Sequence, residues 1–290
     1  GPVAMVRIIG ILIGLFFSGW LLVSFGMGAK EYITNPPVET AEHAFHKEAK
    51  DVSFTSDGPL GKFDRQQLQR GFQVYKEVCA ACHSLRLVAF RNLEEIGYNE
   101  DEVKAIAANW PIQTPDVDPA TGEMSTRPSV AADKLPKPFA NDVAAGAANN
   151  NAIPPDLSLI TKAREGGAPY IYSLLTGYQA PPADLPKANQ PGPGLHYNPY
   201  FANLNLAMAP PLAAADMVSY SDGTKASIDQ MAKDVSAFLI WSAEPKLEER
   251  HQAGWAVLAF LLIATILAYL SYRTIWADVK AEKKKKSAEA

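Results

Sequence analysis

Two long apolar runs without a single charged residue frame this chain of 290 residues. The first covers residues 8–29 and the second covers residues 253–272. A helix crosses the hydrocarbon core of a bilayer with about 20 apolar residues, and both runs reach that length. The sequence therefore predicts an N-terminal transmembrane helix within residues 1–29 and a C-terminal transmembrane anchor over residues 253–273.

The charges that flank the two runs orient them in the membrane. Arg7 precedes the first run, whereas Arg273 and the lysines at 283–286 follow the second. Positive charge marks the cytoplasmic side of a spanning segment. The sequence therefore predicts a protein of the inner membrane, with a domain at 30–252 on the periplasmic side and a basic cytoplasmic tail at 274–290.

The first run has a second interpretation, a secretory signal. Such signals have an apolar core of about 7–15 residues behind a positive residue and end in a cleavage site between small residues. The run here is longer, and no clear cleavage site follows it. A retained helix, or an uncleaved signal-like segment, is therefore the favoured interpretation.

The segment between the two runs is acidic. Residues 31–250 hold 28 Asp and Glu against 19 Lys and Arg, a net charge of −9, while the basic residues collect beside the membrane. This distribution argues against a nucleic-acid partner and favours a basic protein partner. Acidic residues at 94, 95, 100, 101 and 102 are candidates for that contact.

The pattern of apolar residues predicts a mainly α-helical domain with long proline-rich loops. A helix capped by Asp64, with Gln67 completing a capping box, should lead to Cys79. No strand pattern of useful length is visible, and residues 31–60 are typical of an extended linker. Further helices are predicted over 91–108, 157–176 and 227–243, with a helix start at 216–219 and loops over 110–155 and 179–200.

The motif that carries chemistry is Cys79-Ala80-Ala81-Cys82-His83, a C-x-x-C-H sequence typical of c-type haem attachment. Residues three apart lie on one face of a helix, so both thiols can bond one edge of the porphyrin. The imidazole of His83 then reaches the iron. A thioredoxin-like site needs a βαβ setting, structural zinc needs four ligands, and a disulfide leaves His83 unexplained.

The sixth position on the iron requires a neutral donor or stays open for a small molecule. Met208 is the first candidate, because small residues and two prolines surround it in a stiff loop. His196 is the second. The other candidates lie in the linker, in a polar loop, in helical patterns or beside the membrane: His43, His46, Met124, Met217, Met231 and His251.

Several further motifs join the C-x-x-C-H sequence, and in this combination the chain resembles the cytochrome c1 family, the haem subunit of the cytochrome bc1 complex, of a bacterial type. The resemblance spans about residues 57–280. Its motifs lie at 79–83 (CAACH), 153–158 (IPPDLS), 163–167 (AREGG), 170–178 (YIYSLLTGY), 197–201 (YNPYF), 208–212 (MAPPL), 233–235 (KDV) and 244–245 (EP).

The resemblance implies roles for individual residues around the haem. Met208 would be the axial methionine opposite the histidine. Arg164 and Tyr170 would hold the haem propionates, as a guanidinium pairs with a carboxylate and a phenol can donate to it. Asn149 is a weaker candidate for the same task.

Two prolines, Pro154 and Pro155, should pack near His83, where a proline carbonyl can accept the imidazole N–H. Many members of the family lose their first run as a cleaved signal, whereas here it is predicted to be a second anchor. The sequence departs from the family pattern at two further points. Asn151 stands where relatives often have glycine. The extra cysteine pair that some bacterial relatives carry before the methionine does not occur here.

The function that the resemblance implies is electron transfer. Electrons would pass from the Rieske iron–sulfur protein, through one covalent haem c, to a soluble or membrane-bound cytochrome c, with cytochrome b as a further partner in the lipid bilayer. The chain would be a carrier and not a catalyst alone. The alternative is a free-standing membrane-anchored cytochrome c that feeds a terminal oxidase; a haem sensor with an open sixth site is a second.

Overall fold

The computed structural model describes residues 2–36 and 40–288 and divides the chain into two units, Gly1–Phe45 and His46–Ala290. The first unit holds helix α1, Pro2–Thr34, and the short helix α2, Ala41–Phe45. Val3–Thr34 contains a stretch of 18 residues with a mean hydropathy of 2.3 and is long and apolar enough to cross a membrane. The predicted N-terminal helix is therefore present, and it continues past residue 29.

The second unit is mainly helical, as predicted, and its long loops connect short elements. Among the described residues, 3₁₀ helices lie at Cys79–Ala81, Phe90–Ile96 and Lys187–Asn189. The α-helices are α3 Arg65–Glu77, α4 Glu100–Ala108, α5 Asp142–Ala148, α6 Ile160–Ala163, α7 Gly167–Leu175, α8 Ile228–Ala243 and α9 Leu247–Ala288. The strands are β1 Thr114–Val117, β2 Met124–Arg127, β3 His196–Tyr197 and β4 Asn205–Leu206.

The core of this unit forms where α3 crosses α8. Gly71 lies at the crossing, and a Cβ there would collide with the backbone oxygen of Asp234 and with the Cβ of Phe238. The two backbones can approach this closely only because glycine has no side chain. Around the crossing, Phe72, Tyr75 and Phe238 are almost fully buried, and the ring of Phe238 contacts those of Phe72 and Tyr75.

The start of α3 departs from the capping box that the sequence predicts. Asp64 caps the helix as expected, since its side chain accepts from the backbone N–H of Gln66 at 3.0 Å and of Gln67 at 3.2 Å. The side chain of Gln67 turns inward instead and donates to the buried Asp234 at 3.1 Å. A buried carboxylate needs donors, and Arg70 supplies another at 3.0 Å.

Two predicted helices are each divided by a glycine with positive φ. The segment 91–108 is a 3₁₀ helix and then α4, because Gly97 adopts φ +103° between them. The segment 157–176 is α6 and then α7, with Gly166 at φ +77° in the break. A residue with left-handed backbone ends a helix. In both places the spacing of apolar residues continues across such a turn, so it predicted one helix where there are two.

A further prediction about local structure is wrong. Residues 216–219 do not begin a helix, because Asp216 adopts φ +59° and the chain continues in turns to α8. Strands also exist, as two antiparallel hairpins in which β1 pairs with β2 and β3 with β4. These strands hold two to four residues each, too few for an alternating pattern to be recognised in the sequence.

The C-terminal helix α9 is continuous from Leu247 to Ala288, and its part Leu247–Glu282 contains a stretch of 18 residues with a mean hydropathy of 2.3. It is therefore long and apolar enough to cross a membrane. Trp255 and Trp276 lie about 32 Å apart along it at 1.5 Å per residue. That distance is close to the thickness of the hydrocarbon core, and aromatic residues favour its two interfaces.

Candidate haem-binding site

The cysteine pair lies in a tight turn directly after α3. Cys82 N–H and His83 N–H both donate to the carbonyl of Cys79, at 3.1 and 2.9 Å, which closes a 3₁₀ turn. Residues three apart eclipse each other in such a turn, so both thiols face the same side. Both are free and half-buried. Their arrangement suits two bonds to one edge of a planar group.

The environment of Cys79 does not suit thiol–disulfide exchange. Burial, and secondarily the nearby Cys82, raises the pKa of the Cys79 thiol to about 12. Catalytic redox cysteines instead have a lowered pKa, because the thiolate is the attacking species. This observation disfavours the thioredoxin-like interpretation of the motif.

The orientation of His83 is set by one hydrogen bond. Its Nδ1 lies 2.8 Å from the carbonyl oxygen of Pro155. A carbonyl can only accept, so Nδ1 carries the proton and Nε2 presents a lone pair. Burial also lowers the pKa of His83, against the opposing effects of Pro155 and Asp156, and so favours the neutral ring. A neutral histidine whose second nitrogen binds a carbonyl is typical of a metal ligand.

The carbonyl of Pro155 is itself fixed by the residue that follows it. One carboxylate oxygen of Asp156 accepts from Ser84 Oγ at 2.7 Å and from Arg86 N–H at 2.9 Å, and the other accepts from Ser158 N–H at 3.0 Å. Burial alone would raise the pKa of Asp156, but these hydrogen bonds outweigh it and lower the pKa. Asp156 belongs to the motif at 153–158, where an aspartate after two prolines is a turn signal, but the sequence alone gave its carboxylate no role.

The turn that leads into the two prolines uses asparagines with left-handed backbone. Asn150 and Asn151 adopt φ +52° and +61°. Asparagine tolerates this region better than other residues with a side chain, so Asn151 fits a turn that otherwise favours glycine. Asn149 lies just before them, and its Nδ2 donates to the carbonyl of Ala145 at 2.8 Å. Its role toward a propionate remains a prediction.

Met208 lies two residues after β4 and is half-buried. Its carbonyl oxygen accepts a hydrogen bond of 3.0 Å from the hydroxyl of Tyr178. His196, the second candidate for the sixth position, lies in β3 opposite Leu206. Both candidates thus belong to one hairpin region. The assignment of Met208 as the ligand remains a prediction.

Arg164 and Tyr170 are brought together by the break between α6 and α7. Arg164 is exposed, and among the described residues it forms no ion pair; its Nη1 donates to the carbonyl of Ala163 at 3.2 Å. Tyr170 is half-buried in the first turn of α7, and burial raises its pKa while the charge of Arg164 opposes this. The tight turn at Gly166 keeps the guanidinium near the phenol. Propionate binding by the two remains a prediction.

The donor set fits a c-type haem. Two thiols on one side of a turn can form the covalent bonds, and a neutral imidazole can ligate the iron. A thioether on a stiff segment and an exposed guanidinium are the remaining groups that the cofactor needs. Asp156 and Tyr178, which hold this set in place, belong to the motifs at 153–158 and 170–178, but the sequence alone gave them no role.

Comparison with known proteins gives the same result over most of the chain. The Cytochrome C1 family matches residues 54–279. Cytochrome c1 of Rhodospirillum rubrum is 46% identical over 235 residues, which cover 77% of this chain and 85% of that protein. The mitochondrial cytochrome c1 heme protein of Neurospora crassa is 48% identical over 243 residues, covering 84% and 71%. "Cytochrome c1 1, heme protein, mitochondrial" of Arabidopsis thaliana is 41% identical over 263 residues, covering 90% and 83%. The chain therefore belongs to the cytochrome c1 family.

Proposed function

We propose that this chain is the electron-transfer subunit of a cytochrome bc1 complex and carries one covalent haem c. The observation that supports it best is the Cys79–Cys82 turn followed by His83, whose Nδ1 is committed to Pro155. Membership of the cytochrome c1 family disfavours the alternative, a free-standing cytochrome that feeds a terminal oxidase.

The residues of the site have distinct tasks in this proposal. Cys79 and Cys82 hold the haem covalently, and His83 and Met208 ligate its iron. The haem, when bound, supplies reversible one-electron exchange. A soft, neutral thioether favours the ferrous state, so Met208 keeps the potential high enough to accept electrons.

The polar groups around the site complete these tasks. Arg164, Tyr170 and Asn149 bind the propionates, where a guanidinium offers two parallel donors to a carboxylate. Pro155 holds the imidazole through its carbonyl, and Pro154 stiffens the segment that presents it. The fixed orientation of the His83 ring would limit the rearrangement that electron exchange with the haem requires.

The partners in this proposal are those of a subunit of the cytochrome bc1 complex. Electrons arrive from the Rieske iron–sulfur protein and leave to a cytochrome c, while cytochrome b is the neighbour within the bilayer. The haem domain lies on the periplasmic side of the inner membrane and the C-terminus in the cytoplasm. The basic residues after the second span support this orientation.

Purification of the full chain from membranes in mild detergent tests the proposal. We expect cytochrome b and an iron–sulfur protein to co-elute with it, and the eluate to reduce a cytochrome c when quinol is added. Isolation of the chain with oxidase subunits instead would support the alternative. Rapid binding of carbon monoxide by the reduced wild-type chain would support a haem sensor with an open sixth site.

A further inference from the structure

A hydrogen bond connects the segment of Met208 to the end of α7. The hydroxyl of Tyr178 donates to the carbonyl oxygen of Met208 at 3.0 Å, across 30 positions of the chain. Tyr178 is half-buried and follows the last residue of α7 by three positions. The bond acts on the backbone of Met208 and leaves its thioether free.

The end of α7 is a fixed support for this hairpin region. Asn198 is fully buried, and its Nδ2 donates to the carbonyl of Leu174 at 2.8 Å. Gly177 lies against the ring of Tyr200 so closely that a Cβ at this position would collide with it. These contacts hold the chain between β3 and β4 against the last turn of α7.

A lysine fixes the same support from another side. Lys50 Nζ donates to Thr176 Oγ1 at 2.7 Å and lies 5.6 and 5.5 Å from the ring centres of Tyr172 and Tyr200. A cation over two aromatic faces is attracted to both. Thr176 therefore has little freedom, and Tyr178 follows it by only two residues.

The Met208 segment has little other polar support. Among the described residues Met208 makes no second hydrogen bond, so the bond from Tyr178 is the polar contact that restrains it. Tyr178, Tyr197, His196 and Pro210 are among the residues that line a cavity of about 410 Å³ next to this segment.

We propose that Tyr178 is a positioning residue that holds the Met208 segment at the distance at which its thioether can ligate the haem iron. The inference rests on the proposed function, in which Met208 is the sixth ligand. Tyr178 acts through the backbone of Met208 and contributes no ligand itself.

The test is Tyr178→Phe in the full haem-loaded chain, with Tyr197→Phe as the matched control. Tyr197 lines the same cavity, and among the described residues its hydroxyl has no hydrogen-bond partner. Carbon monoxide binds the reduced iron only when the thioether of Met208 has dissociated from it. The binding rate therefore reports the fraction of chains in which the thioether is dissociated. We expect Tyr178→Phe to raise the rate about fivefold, the factor that corresponds to a typical net hydrogen bond of about 1 kcal/mol.

Two further readouts separate a positioning role from a general loss of structure. The near-infrared charge-transfer band from methionine to ferric iron should weaken in Tyr178→Phe, while the covalent haem content and far-ultraviolet circular dichroism stay the same. Replacing Tyr178 with 4-aminophenylalanine, whose amine can donate to the same carbonyl, should restore both the band and the slow carbon monoxide rate.

The outcomes distinguish this inference from the ligand assignment beneath it. If Met208→Leu abolishes the band and Tyr178→Phe leaves the band and the carbon monoxide rate unchanged, the positioning role is wrong and the ligand assignment stands. An equal change in Tyr178→Phe and Tyr197→Phe also overturns it. If Met208→Leu leaves the band intact, the ligand assignment itself fails, and this inference fails with it.

Discussion

At the scale of single residues, one hydrogen bond decides which nitrogen of His83 is available to a metal. The bond runs to Pro155, and the three donors that converge on Asp156 hold that proline in place. Proline has no N–H of its own to anchor the segment. The orientation of His83 therefore depends on the carboxylate of Asp156, which acts through Pro155 and makes no hydrogen bond to the histidine itself.

The Asp156→Asn variant tests that dependence. The amide nitrogen cannot accept from Ser84 and Arg86, so we expect a loss of about 1–2 kcal/mol at neutral pH, a few degrees in the melting temperature. The folded-state pKa of Asp156 lies below its ordinary 3.8. A lowered carboxyl pKa stabilises the fold above the unfolded-state value and loses that effect as the pH falls through the folded-state value.

The difference in melting temperature between wild type and Asp156→Asn should therefore be full above about pH 5 and shrink below pH 4. Thermal melts of the haem-loaded chain in detergent, followed by circular dichroism, measure it. Asp101→Asn is the control, because that side chain is 95% exposed. A difference between wild type and Asp156→Asn that persists unchanged at low pH would contradict the role of the carboxylate charge.

The Met208→Leu variant tests the sixth ligand. Leucine has a similar volume, so the packing cost should stay below about 1.5 kcal/mol. Loss of the thioether should lower the reduction potential and make the reduced haem bind carbon monoxide, while Cys79 and Cys82 keep the haem attached. Redox titration and carbon monoxide spectra measure this. Met217→Leu, at an exposed methionine in the same loop, is the control. An unchanged spectrum in Met208→Leu would show that another residue is the ligand, and His196 would be tested next.

At the scale of elements, the crossing of α3 and α8 connects the haem motif to the core. Helix α3 leads directly to Cys79, and its position against α8 depends on the missing side chain of Gly71. A shift of this crossing would move the cysteine turn away from the segment of Pro155. The fold and the site are therefore coupled through one glycine.

The Gly71→Ala variant should be strongly destabilised. The added methyl group meets backbone atoms of Asp234, which cannot rotate away, so we expect a loss near the upper end of the 1–3 kcal/mol typical of overpacking, about 6 °C or more. Gly146→Ala is the matched control, since it is also buried in a helix but has no atom nearer than 3.9 Å to the new Cβ. There the melting temperature should stay the same or rise slightly. Equal melting temperatures of the two variants would contradict the tight crossing.

The same elements indicate what the sequence could predict. The period of apolar residues predicted α8 to within one residue of its start, because apolar residues recur at core spacing along it and most of the helix is buried. The C-x-x-C-H motif could be recognised because its residues are neighbours in sequence. The carbonyl that binds His83 could be anticipated because it belongs to one of two consecutive prolines. The bond from Tyr178 to Met208 and the turn of Gln67 toward Asp234 join distant parts of the chain, and no local pattern encodes such contacts.

At the scale of the whole molecule, charge divides the chain into an acidic domain and a basic membrane end. Some of the acidic residues at 94–102 already have partners, since Glu100 pairs with Lys104 at 2.7 Å and Glu102 accepts from Asn99 N–H at 2.8 Å. These contacts lie at the surface and leave the carboxylates hydrated and charged. The domain therefore keeps a negative field that can act on an approaching protein.

We expect this field to steer a basic cytochrome c toward the domain. Exposed charges are screened over about 10 Å at 0.1 M ionic strength, so the bimolecular rate of electron transfer should fall as salt rises. Neutralising the acidic residues at 94, 95, 100, 101 and 102 as Gln or Asn should lower the rate at low salt by about tenfold, since steering raises association rates by 10–10³. Stopped-flow oxidation of the purified complex measures both effects, with Glu123→Gln in the turn between β1 and β2 as a single-charge control. The variants should differ least at high salt, where screening removes the field from all of them. A rate that does not change with ionic strength would show that the acidic residues do not steer cytochrome c.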